Sequence, residues 1–192
     1  MDGKLVNYTA LVGFHDEKRD DIVCYSEYSK FVKPVMNAKV YKILPHLFFD
    51  ADVSVWTDAN VKIVDVKAFV EEHLKGNDLV LFRHPYRKCI YEEVKSVISD
   101  DYLKRDIENQ ILEYRAQNYP ENNGLYECGV IIRRHNKKVE TFNNAWWAEI
   151  CRWSSRDQIS FPYVLSKFPD IKLGVIDGNM RDFQGIIWAN HK

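Results

Sequence analysis

Apolar positions fall in short clusters separated by charged or glycine-containing stretches, and the period of those clusters changes along the chain. Residues 8–14 form a first apolar run that ends at Gly13-Phe14-His15-Asp16. A charged loop through Asp21 leads to a second run at residues 22–25. Both are short enough to be interior strands of a sheet. Residues 53–56 predict a third strand, which ends in Thr57-Asp58-Ala59-Asn60. Val66, Phe69, Val70 and Leu74 then recur at helical spacing until Gly76-Asn77 stops the helix, and residues 79–82 return to strand.

In residues 90–114 the apolar positions Ile90, Val94, Val97, Ile98, Leu103, Ile107, Ile111 and Tyr114 predict two helices broken near Asp100-Asp101, an insertion or cover on the sheet. A polar loop through Asn122-Asn123-Gly124 leads into a strand at residues 127–133, where Gly129 leaves room for another backbone or a ligand. Thr141 is the expected cap of a helix carrying Trp146, Ile150 and Trp153. Ser155-Arg156-Asp157-Gln158 has the form of a capping box, and Pro162 predicts that the helix after it kinks or starts instead at Ser160. Strands alternating with helices predict an α/β fold with a mostly parallel central sheet flanked by helices, as a single domain over residues 1–192.

Composition narrows the partners. The 27 basic and 28 acidic side chains nearly cancel, which removes the usual electrostatic case for nucleic acid or an anionic membrane. No apolar run is long enough for a membrane span, and the amino end lacks a secretory pattern, so a soluble, cytoplasmic chain is expected. Cys24, Cys89, Cys128 and Cys151 are scattered without metal-knuckle spacing and read as reduced thiols.

Asp58 and Asn60 follow an apolar strand, on the side where parallel sheets bind ligands. Two oxygen donors there suit Mg²⁺ or Mn²⁺ bridging phosphates, and they equally suit a strand-end turn. Asp50 and Asp52 precede the strand and read as a solvated turn. Arg83, His84 and Arg87 are either an anion-binding cluster or a loop ion-paired to Glu92 and Glu93. Trp146 and Trp153 share a helical face and suit core packing, whereas Trp147 on another face is the better candidate for stacking on a sugar. Serine-triad, P-loop and HExxH patterns are absent.

Taken in order, Tyr8-Thr9-Ala10, Lys42-Ile43-Leu44-Pro45-His46, Val55-Trp56-Thr57-Asp58-Ala59-Asn60, Phe82-Arg83-His84-Pro85, Ile90-Tyr91-Glu92-Glu93, Asn122-Asn123-Gly124-Leu125-Tyr126-Glu127-Cys128-Gly129-Val130 and Arg156-Asp157-Gln158-Ile159-Ser160-Phe161 resemble successive blocks of one family. It is the glycosyltransferase-like domain shared by plant mucilage and turgor-regulation proteins and by many bacterial and large-virus polysaccharide proteins. More distantly, the chain is similar to glycogenin-like GT-A transferases.

The resemblance implies a GT-A-like fold and metal-dependent transfer, with retention, from a nucleotide-diphosphate sugar, a UDP-sugar, to a glycan or other hydroxyl acceptor. It places Mn²⁺ or Mg²⁺ on Asp58, Asn60 and His191, with Asn60 standing where a strict DxD motif has a second carboxylate. His191 equally suits a frayed terminus. Tyr8, Thr9, Ala10, Lys42, His46 and Ala59 fall to the nucleotide, although Lys42 also reads as a solvated charge at a strand end. Asn122, Asn123, Gly124, His84 and Arg87 fall to the sugars, and the Asn-Gly pair is also a common turn. Glu127, Asp157 and Gln158 fall to the reacting centre, where Asp157 also suits a helix first turn. Acceptor recognition is expected to draw on another domain or subunit. The alternatives are a non-catalytic nucleotide-sugar or glycan-binding module and a metal-dependent phosphoesterase.

Overall fold

The computed structural model describes residues 3–12, 18–97 and 101–189. Among these residues the centre is a six-stranded sheet in the order β2-β1-β3-β6-β5-β7. It comprises β1 (Leu5–Ala10), β2 (Val23–Tyr25), β3 (Val53–Thr57), β5 (Leu79–Arg83), β6 (Tyr126–Arg134) and β7 (Leu173–Ile176). Three of its pairings are parallel, β1 with β2, β1 with β3 and β5 with β7. Only β6 runs against its neighbours β3 and β5.

Side-chain alternation divides the core. Tyr8, Trp56, Leu81, Cys128 and Ile131 pack on one face with residues of α1 (Pro34–Ile43), α3 (Ile90–Val97), α4 (Asp101–Ala116), α5 (Lys137–Arg152) and α6 (Asp157–Leu165). Val53, Val55, Val80, Phe82, Val130 and Ile132 face the other way, against α2 (Val66–His73) and the small antiparallel pair β4 (Val61–Ile63) and β8 (Ile186–Trp188). This is the period of two expected of a sheet buried on both sides. The side chain of Arg133 is fully buried on the helical side, where it donates to the Ile43 carbonyl and to Asn143 Oδ1 and ties α1 to α5.

Several boundaries differ from the sequence reading. The first strand begins at Leu5 because Leu5 and Val6 pair with Val53 and Ser54, and it ends at Ala10; residues 13–14 of the expected run lie outside the described residues. The second strand is an edge strand, with Val23 exposed, and not an interior one. Of the break expected near Asp100-Asp101, Asp100 lies outside the described residues and Asp101 begins α4. Helix α5 is capped by Asn136, whose side chain accepts from the Val139 amide, and the Thr141 hydroxyl instead bonds back to the Lys137 carbonyl inside the helix. Helix α6 starts at Asp157 with Arg156 as its cap residue and runs through Pro162, so the Ser155 capping box does not form.

One irregularity places the site. Between Leu81 and Phe82 of β5 the pairing jumps from Ile131 to Glu127, so residues 128–130 have no partner on β5. There β6 turns toward β3, pairing Val130 with Thr57 and accepting the Asp58 amide on the Gly129 carbonyl. A bulge of this kind re-aims side chains at a sheet edge.

Candidate active site

The carboxyl ends of β1 and β3, the amino end of β6 and the start of α6 meet at one edge of the sheet around a cleft of about 640 Å³. Its far wall is the segment after β7, through Met180, Arg181 and Trp188. Gly129 makes this closure possible, because a Cβ there would lie 2.7 Å from Met180 Cε and 3.4 Å from Asp58 Oδ2.

Helix α1 supplies a second wall and the principal charges. Pro34 at its first turn fixes the start, and Lys39 and Lys42, three residues apart, fall on one face. Lys42 Nζ lies 2.8 Å from Asp157 Oδ2 and 3.1 Å from Asp58 Oδ1, and Lys39 binds the same Asp157 oxygen. Burial pushes the Asp157 pKa up, but the two lysines overcome it and hold the carboxyl well below the usual range. Burial works against the charge of Lys42, and Asp157 with Asp58 more than restores it. For Lys39 burial prevails over Asp157 and its pKa is lowered.

Glu127 is held differently. It is 5% exposed, its Oε1 pairs with Arg181 NH1 at 3.0 Å, and its Oε2 has no hydrogen-bond partner. Burial raises its pKa against the opposing pull of Arg181. The Arg181 guanidinium stacks over Trp188, 4.6 Å from the ring centroid. Arg156, at the mouth of α6, donates to Gln158 Oε1 at 3.2 Å and to Glu93 Oε1 at 3.1 Å.

The cleft thus brings together Ala10, Lys42, Asp58, Ala59, Glu127, Asp157 and Gln158 from the residues singled out in the sequence. Others are turned elsewhere. Tyr8 is fully buried, donates to the Tyr41 carbonyl at 3.1 Å, and has its pKa pushed up to about 12 by burial; Thr9 is buried beside it on the strand. His46 sits in a 3-10 turn near Glu140 and Asn144 of α5, its pKa lowered first by burial. Neither Tyr8, Thr9 nor His46 lines the cleft. His84 Nδ1 accepts the Tyr86 and Arg87 amides, which leaves its Nε2–H toward Glu93, 3.6 Å away. Arg87 also binds Glu93, at 2.7 Å, so this pair serves a buried carboxylate and lies outside the cleft. Asn122, Asn123 and Gly124 form the turn before β6; Asn122 and Gly124 have φ of 57° and 90°, and Asn123 donates to the Tyr119 hydroxyl. Trp147 is half-buried edge-on to Phe31, and the aromatic rings at the cleft are instead Trp56 and Trp188.

The expected metal chelate does not form among the described residues. Asp58 Oδ1 is taken by Lys42 and by the Trp56 indole N–H at 2.8 Å. Asn60 is buried outside the cleft lining, and its amide donates to the Ala189 carbonyl at 3.0 Å. His191 lies outside the described residues. Asp157 and Glu127, the other carboxylates of the cleft, each carry a cationic partner. A hard divalent cation takes several free oxygen donors, and among the described residues Asp58 Oδ1, Glu127 Oε1 and Asp157 Oδ2 are already engaged by cationic side chains.

Sequence reasoning missed Lys39, Arg156, Met180, Arg181 and Trp188. Pro34 as a helix-start signal could have revealed α1 and hence the Lys39–Lys42 face. The far wall had no local signal.

A mostly parallel six-stranded sheet flanked by helices is a GT-A-like glycosyltransferase fold. The WbbM bifunctional glycosyltransferase structure superimposes with a TM-score of 0.50 at 9% identity, covering 92% of this chain and 46% of that one. The chain belongs to the TOD1/MUCI70 glycosyltransferase-like domain family, whose sequence profile matches residues 21–182. It is 30% identical over 144 residues to the probable hexosyltransferase MUCI70 of Arabidopsis thaliana, covering 68% of this chain and 25% of that protein. It is 22% identical over 162 residues to the alkaline ceramidase TOD1 of the same plant, covering 77% and 35%. The chain therefore spans about a quarter to a third of the length of these curated relatives. Among the described residues no helix is long and apolar enough to cross a membrane.

Proposed function

We propose that this cleft transfers a hexosyl group from a nucleotide-diphosphate sugar, a UDP-sugar, to a hydroxyl of a glycan acceptor. The observation that carries the reading is Glu127, a buried carboxylate with one unpartnered oxygen, facing a cleft that also holds Lys39, Lys42, Arg156 and Arg181. Family membership and the hexosyltransferase name of one relative support the same chemistry. The apolar wall of Ala10, Val12, Pro34, Val35 and Ala38 takes the nucleotide base, and the cations take the diphosphate.

In the proposed step the bond between C1 and the diphosphate oxygen breaks, and its electron pair stays on that oxygen. Positive character grows at C1 and the ring oxygen, where the Glu127 carboxylate stabilises it. The acceptor oxygen bonds to C1 from the face the diphosphate leaves, which retains configuration, and the acceptor proton passes to the departing diphosphate. Gln158, held by Arg156, orients the sugar hydroxyls. Asp157, with its charge committed to two lysines, is unsuited to accept a proton.

The test is a panel of UDP-, GDP- and TDP-sugars with glycan acceptors, read by released nucleoside diphosphate and by the anomeric proton signal of the product. UDP release with a retained anomer is expected. Donor binding without turnover on any acceptor would make the domain a binding module. Release of fatty acid from ceramide would favour the reaction named for the second relative.

A further inference from the structure

The cleft's charge arrangement departs from that of a metal site, and the departure has a direction. Lys42 lies between Asp58 and Asp157 and occupies Asp58 Oδ1, an oxygen of the residue expected to hold the metal. Trp56 fixes this geometry twice, donating its indole N–H to Asp58 and presenting its ring 5.5 Å from the Lys42 ammonium. Lys39 reaches Asp157 from one turn earlier on α1 and is only 13% exposed. A divalent ion on Asp58 would meet the ammonium of Lys42 across the same carboxylate and be repelled by it. Two ammonium groups already stand at the carboxyl edge of β3, fixed by a carboxylate that cannot be neutralised at ordinary pH.

We propose that these lysines replace the divalent ion: Lys39 and Lys42, anchored on Asp157, bind the donor diphosphate and stabilise its charge as it leaves. This rests on the transferase reading given above. Both lysines act as hydrogen-bond donors in this step. They hydrogen-bond the phosphate oxygens as the C1–O electron pair moves onto the diphosphate, and the acceptor proton follows it there. Asp58 positions Lys42 and has no role as a metal ligand. Arg156 and Arg181 flank the same space and add to the field.

Calorimetric titration of the whole chain with UDP, first in EDTA and then in Mn²⁺, tests the idea. Lys39→Gln, Lys39→Arg and Asp58→Asn are the variants, since removing Lys42 would strand Asp157 and threaten the fold. The UDP dissociation constant should agree within about twofold between the two media. Lys39→Gln should weaken UDP about ten- to a hundredfold, the scale of one charge-assisted hydrogen bond, and Lys39→Arg should recover part of the loss. Uridine, which lacks phosphates, should bind Lys39→Gln and wild type alike; equal weakening of both ligands would mean a structural role and overturn the proposal. UDP binding that requires Mn²⁺ and disappears in Asp58→Asn would also overturn it while leaving the transferase reading intact. Failure of UDP, GDP and TDP to bind in either medium would remove both.

Discussion

Glu127 and Asp157 are carboxylates of one cleft held in opposite electrostatic states, and the difference assigns them different work. Glu127 is desolvated with one cation beside it and one buried oxygen unpaired, and the proposed reaction sets its charge against the sugar. Replacing it with Gln keeps the shape and removes the charge; turnover should fall about 10²- to 10³-fold with donor affinity preserved, as measured by initial rates and titration. Because burial raises its pKa, wild-type turnover should decline on the acid side starting above the ordinary glutamate range of about 4.3, and Glu127→Gln should lack that limb. Asp157 is instead the counter-ion of two buried ammonium groups. Asp157→Asn should therefore lose about 3–5 kcal/mol of stability by denaturant unfolding, with the loss of turnover accompanying it. Both residues were singled out in the sequence through the family resemblance. Their division of labour was not legible there, because it depends on Lys39 and Arg181, which approach from elements distant in the chain.

At the level of elements, legibility followed length and period. Strands β3, β5 and β6 and helix α2 are uninterrupted patterns and stand close to where the sequence places them. Helix α1 was not recognised, because two of its buried positions are Asn37 and Lys42, which read as surface, and its apolar face is thin. The pair β4 and β8 comprises three residues on each side, joined across more than a hundred positions, and neither strand is long enough to carry a pattern of its own. The start of α5 shows how near the signals were: Asn136, three residues before Val139, is a good cap hidden by the two lysines that follow it. Asn136→Ala should cost about 1 kcal/mol in chemical denaturation, and Thr141→Ala, which removes only a bond back into the helix, should cost well below that.

For the whole molecule, proton linkage is set by groups held away from their ordinary values. His135 is lowered to about 4, first by burial and then by Arg133, and burial also lowers His46, His73 and His84. The unfolded chain takes up these protons near pH 6.5 and the folded chain only further down, so stability present above 6.5 should fall as the pH drops toward 4. Asp157, whose folded pKa is depressed, adds a second loss as the pH goes below 3.8. Melting temperatures between pH 8 and about 3 would show both stages, and His135→Gln should flatten the first.

The overall class, a mostly parallel α/β sheet flanked by helices, was legible from the alternation of strand and helix patterns. The reversal of β6 was not, because a strand buried on both faces has the same composition in either direction. That reversal, together with its bulge, brings Glu127 to the edge where β1 and β3 end.

The wall opposite α1 is polypeptide that has already left the main sheet, fastened by the three residue pairs of β4 and β8, by Met180 against Gly129 and by Arg181 on Glu127. Met180 and Ile186 of this panel pack into the core beneath the sheet, while most of its other positions are exposed. Diversification of what this scaffold accepts is therefore cheapest at the exposed positions of residues 177–189, where new side chains change the mouth of the cleft and leave the main sheet in place.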